Sequence, residues 1–142
     1  MFDVVIDISS RIVSADDTEN ININTLGHMR LSHGTASLFY SEKTDDGQKV
    51  STTVKIGDDK SVNITRTGDG SSQLTVLEGR RCLSSYNMPY GTLTMGISGR
   101  TVDINLDENG GQIVLDYAVD INSEFMSNNL IEINVRRLST DV

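Results

Sequence analysis

The side chains that most often carry chemistry are sparse in this chain: two histidines, one cysteine and a scatter of acids and serines. His28 and His33 lie five positions apart, so on a strand they point to opposite faces and cannot share a metal. No third ligand stands at metal-site spacing. Cys82 has no histidine or helix N-terminus in prospect to lower its pKa, so it reads as a small buried hydrophobe. Asp103, Asn105 and Asp107 share one strand face and, with Glu108 and Asn109, offer oxygen ligands. The loop is too short for a calcium hand and lacks the distal bidentate glutamate, which leaves these residues as solvated outward positions. Thr67-Gly68-Asp69-Gly70-Ser71-Ser72 lacks the lysine and the following helix of a phosphate loop. Gly96-Ile97-Ser98-Gly99 is not a nucleophile elbow. The chain therefore shows no catalytic constellation, and neither a metal nor a cofactor is expected.

Arg66 and three tyrosines are better candidates. Arg66 shares parity with Val62 and Ile64, which turns it inward. A buried arginine is costly unless paired. It therefore sits at an opening and snorkels out, or it reaches a carboxylate or a ligand anion inside. Tyr117 shares the apolar face of its segment, and a buried tyrosine hydroxyl needs a partner. Tyr86, Tyr90 and Tyr117 suit core packing or a pocket wall. Together with Arg66 they make the candidate ligand-binding set.

The elements that must position these residues are strands. Valine, isoleucine and threonine supply 38 of 142 residues, against three alanines, and branched side chains favour pleated strands over helices. Apolar residues alternate at period two through Val4-Ile6-Ile8, Ile21-Ile23, Val50-Thr52-Val54-Ile56, Leu93-Met95-Ile97, Val102-Ile104-Leu106, Ile113-Leu115-Tyr117-Val119 and Ile131-Ile133-Val135. Tight turns are expected at Asp45-Asp46-Gly47, Gly57-Asp58-Asp59, Thr67 to Gly70, Ser98-Gly99 and Glu108 to Gly111. About eight to ten short strands joined by hairpins close most simply into one antiparallel up-and-down β-barrel, a single all-β domain over residues 1–142.

Net charge is −8 with a pI near 4.6, which opposes phosphate backbones, so no nucleic-acid partner is expected. Arg80-Arg81 and Arg136-Arg137 are not interleaved with aromatics as a single-strand binder requires. No stretch is long and apolar enough for a spanning helix, and Met1-Phe2-Asp3-Val4-Val5-Ile6-Asp7 is not a signal peptide. With one unpaired cysteine, the expectation is a cytoplasmic protein with no membrane partner.

Arg66-Thr67-Gly68, then Tyr86-Asn87-Met88-Pro89-Tyr90-Gly91, then a glycine turn before Gln112-Ile113-Val114-Leu115-Asp116-Tyr117 follow one another in a specific order. That series resembles the YwiB-like family of uncharacterised small bacterial proteins, found largely in Gram-positive species. The likeness covers residues 60 to 135; the first 55 match in rhythm alone. It implies a calycin-like barrel, lipocalin-like in shape, and no activity. The sole proline, Pro89, cannot donate to a ladder, and with Gly91 it marks an expected barrel corner.

Two functions fit. One is a binding module whose mouth or lumen takes a small apolar or anionic ligand near Arg66 and the tyrosines. The other is a structural or interaction protein, such as a homodimer, with a barrel filled by side chains. Phe39, Val5 and Leu77 on the wet face would then mark the interface. An enzyme is not expected.

Overall fold

The computed structural model describes residues 1–44, 46–68 and 70–138, and for Met88 the backbone. The described residues form ten strands and no helix. These are β1 (Phe2–Ser14), β2 (Thr18–Ser32), β3 (Thr35–Lys43), β4 (Lys49–Ile56), β5 (Val62–Thr67), β6 (Ser71–Val76), β7 (Arg81–Met88), β8 (Gly91–Asp107), β9 (Gly110–Ile121) and β10 (Glu124–Arg137). Each strand pairs antiparallel with its neighbours in sequence, and β1 pairs with β10 to close the barrel. Closure gives every strand a partner on both sides over at least part of its length.

The inward faces follow the alternation in the sequence. Val4, Ile6, Met29, Leu38, Val54, Val62, Val76, Ile97, Ile113, Leu115 and Ile133 are essentially inaccessible and fill one half of the barrel. That half lies towards the start of β1 and the end of β10. Two-residue hairpins shape the connections. His33-Gly34 and Asn122-Ser123 both adopt positive φ at each position, the mirror-image turn that matches strand twist.

Two expectations of local structure are corrected. Ser98-Gly99 is not a hairpin: β8 runs unbroken from Gly91 to Asp107, and its register with β9 shifts between Gly99 and Thr101. This β-bulge inserts one residue, so inward parity passes from the odd positions Met95 and Ile97 to the even positions Val102 and Ile104. Pro89 and Tyr90 are not a barrel corner either. They form the tip of the β7–β8 hairpin, with Met88 opposite Gly91. Asp45 and Asp69, each within an expected turn, lie outside the described residues.

Two seams are held by particular contacts. The β6–β7 ladder ends at Gln73 opposite Ser85, and the Thr75 amide then donates to the buried Ser84 hydroxyl at 3.3 Å. Outside the barrel, Arg81 on β7 crosses β8 to grip Asp120 on β9 with two bonds, at 2.9 and 2.7 Å. The fork passes over Gly96, where any Cβ would lie 2.4 Å from the guanidinium.

Candidate functional site

The half of the barrel away from the packed core is open. Its lumen holds a cavity of about 410 Å³, within the size range of small-molecule sites. Buried Ile8, Val54 and Ile133 close its inner end, and Ile12, Ile21, Ile23, Ile64, Leu74 and Ile131 form most of its wall. The polar lining is Ser10, Tyr40, Glu42, Arg66, Ser72, Tyr117 and Asn129.

Strand register explains why these side chains meet. Directly opposed residues on antiparallel strands share a face. One such row runs Gly27, Tyr40, Thr52, Arg66, Ser72, Tyr86, Leu93 across β2 to β8. A second runs Gly99, Tyr117, Asn129, Ile12 across β8, β9, β10 and β1. In each row a tyrosine faces a glycine on the neighbouring strand. The barrel thus carries one polar row on β3 to β7 and a shorter one on β9 and β10, with isoleucines between.

Arg66 lies at the mouth, its side chain half exposed, with Nη2 3.7 Å from Glu42 Oε1. An exposed pair at that distance contributes little to stability. It does hold an ion pair at the rim of an otherwise apolar cavity. Tyr117 is 5% exposed inside the lumen. The structure therefore brings Arg66 and Tyr117 to one cavity. Tyr86 belongs to the row of Arg66 by register, yet it is 43% exposed and does not line the cavity; Tyr90, at the hairpin tip, is 85% exposed.

Three lining residues were not singled out in the sequence. Tyr40 and Glu42 continue the inward alternation of Ala36 and Leu38, but Phe39 beside Tyr40 blurs the period. Glu42 is the carboxylate that Arg66 needs. It sits two strands away on β3, beyond the adjacent strand where a partner would first be sought. Asn129 follows an asparagine, so its inward register shows only once β10 is paired with β9.

Burial sets the protonation of both lumen tyrosines. The Tyr40 hydroxyl is pushed above its usual pKa mainly by desolvation and further by Glu42, with Thr52 and Arg66 opposing. Tyr117 is pushed up by burial, with Asn129 opposing. Both stay neutral donors at ordinary pH. Among the residues that line this cavity, Asn129 has an inaccessible Oδ1 without a hydrogen-bond partner.

The raised tyrosines predict an alkaline limit. Above the ordinary tyrosine value of 10.0 the unfolded chain ionises first, so it holds fewer protons than the folded one. Stability contributed by the neutral hydroxyls is therefore full below pH 10 and falls as pH rises through the folded values. Denaturant titrations above pH 10 should show this loss, and it should shrink in Tyr40→Phe and Tyr117→Phe. A loss of the same size in both variants would place its origin elsewhere.

A wider cleft of about 540 Å³ lies on the outer wall over β2, β3 and β4. Its His28–Asp3 pair, 2.9 Å apart, is more than half exposed on both sides, and solvent screens it. The lumen, with buried donors and an apolar wall, is the better site.

A family model described as "Domain of unknown function (DUF1934)" matches residues 6–133. The chain is 26% identical over 121 residues to the uncharacterized beta-barrel protein YwiB of Bacillus subtilis strain 168, covering 85% of this chain and 84% of YwiB. The crystal structure of the B. subtilis YwiB protein superposes with a TM-score of 0.85 at 23% identity, over 97% of this chain and 93% of that one. The shared feature is the barrel.

Proposed function

The chain belongs to the DUF1934 family of uncharacterised β-barrel proteins, and on that premise we propose that its open half-barrel binds a small amphiphile. The ligand seats an apolar body on the isoleucines and an acidic head at Arg66. One observation carries this reading: the cavity of about 410 Å³ is lined chiefly by isoleucine, yet it has an arginine at its rim. A structural barrel filled by its own side chains has no use for that volume. The cation is already positioned, and an entering carboxylate would exchange the long contact to Glu42 for a shorter charge-assisted bond.

Anilinonaphthalene sulfonate, an aromatic body with an anionic head, tests this directly. Saturable fluorescence enhancement, reversed by decanoate, is expected. Arg66→Gln should weaken decanoate about fivefold and leave decanol unchanged, a modest factor because Arg66 is half exposed. Absence of saturable binding by the wild-type protein, or equal decanoate affinity in the variant, would overturn the reading.

The other reading, an outer surface made for a partner or a second copy, has less support. The most exposed wall leucines, Leu26 and Leu83, lie on β2 and β7, on opposite sides of the ring of strands. Single apolar residues so placed make no contiguous patch.

A further inference from the structure

We infer that the ligand of this lumen carries, besides its acid, a neutral hydrogen-bonding group, a hydroxyl or an amide, seated between Tyr117 and Asn129 on the wall across from Arg66. The inference rests on the binding reading above and narrows its ligand class. Tyr117 and Asn129 face each other directly across β9 and β10. Both line the cavity, and Asn129 Oδ1 is inaccessible and without a hydrogen-bond partner. An acceptor left that way in an apolar wall is costly unless a donor meets it. Burial keeps the Tyr117 hydroxyl beside it neutral, and the Asn129 side chain donates a hydrogen bond to the hydroxyl oxygen, which leaves the hydroxyl proton to donate. A donor and an acceptor side by side match a group that both gives and takes a hydrogen bond, as a hydroxyl or an amide does.

The charges of the cavity define the opposite end. Its charged lining residues are Arg66 and Glu42, both at the mouth. A second charge on the ligand, directed at Tyr117 and Asn129, would find no charged partner there. In the ring of ten strands β5, which carries Arg66, is five places from β10, which carries Asn129. The two polar ends therefore stand across the lumen from each other with apolar wall between them. The matching chemistry is an ω-hydroxy or ω-amide acid with an aliphatic middle. Water can occupy this site in the free protein, and the ligand group then takes over its hydrogen bonds.

The test is a competition series against anilinonaphthalene sulfonate using decanoate, 10-hydroxydecanoate and decanedioate on the full chain. The expected order is 10-hydroxydecanoate about fivefold tighter than decanoate, the gain of one net hydrogen bond, with decanedioate weakest. Asn129→Leu and Tyr117→Phe, each checked for folding by circular dichroism, should abolish the preference, read as the ratio of the two mono-acid affinities within each variant. Equal affinity of the two mono-acids, or a preference that survives both variants, overturns the inference. If decanoate displaces the probe without any preference for the hydroxy acid, this inference falls and the binding reading stands. If no member of the series displaces the probe, both fall.

Discussion

Gly99→Ala is expected to destabilise the barrel by about 3 kcal/mol, from overpacking plus weakened hydrogen bonds. A Cβ at this position would lie 2.4 Å from the Leu77 carbonyl oxygen and 2.8 Å from its carbon. These are backbone atoms, so no side-chain rotation relieves the contact. The connection they belong to is also fixed. The Gly79 amide donates to the Gly99 carbonyl at 3.0 Å, and the Gly99 amide donates to the Arg80 carbonyl at 3.0 Å. Relief of the clash must therefore lengthen at least one of these bonds or push the β6–β7 connection off the barrel. Gly99 also opposes Tyr117, so the displacement reaches the lumen site. Urea unfolding of wild type and variant measures the difference. A change below about 0.5 kcal/mol, the scale of an ordinary surface substitution, would mean that the connection yields freely. Loss of probe binding with little loss of stability would instead place the main strain on Tyr117.

The same glycine shows what the sequence could and could not convey. Period-two alternation and branched residues made the strands legible, because a face buried on one side must repeat every second residue. The switch of apolar parity between Ile97 and Val102 was legible too, but it has two physical causes, a turn or an inserted residue. Ser98-Gly99 carries turn composition, and local pattern alone therefore favours the turn. The close approach of Leu77, a residue more than twenty positions away, is what decides for the bulge, and no local pattern contains it. Arg66 was legible for a related reason: it breaks an apolar parity, and a charge on an inward row stands out. Its partner Glu42 was not, because the pairing depends on the register of three strands. Tyr86 and Tyr90 show the limit of composition. Tyr86 faces inward by register, but it lies where the barrel opens to solvent, and Tyr90 caps a hairpin. Parity fixes which face a residue takes, whereas its depth along the barrel depends on strand length and shear.

Depth is also what makes a plug of the lumen the sharpest test of the site. Ile131→Trp is expected to abolish binding of anilinonaphthalene sulfonate and decanoate while leaving the barrel folded. Ile131 lines the cavity on β10, opposite the small Ser10 on β1, so an indole has space on that side. Ile64→Trp enlarges the wall on β5, five strands away, and should act in the same way. The argument turns on what surrounds each side chain. In a close-packed core an added indole forces strain of roughly 1–3 kcal/mol or more. In an unfilled cavity it meets apolar wall across open space, and burying its extra area contributes about 25 cal/mol per Å² in favour of the fold. The melting temperature should therefore hold or rise as the affinity disappears. Opposite signs for stability and binding cannot come from general damage to the protein. If both variants unfold, the open half is packed in solution and the lumen is not a binding site. If both stay folded and bind the probe as wild type does, the probe sits elsewhere, and the outer cleft over β2 to β4 becomes the place to look.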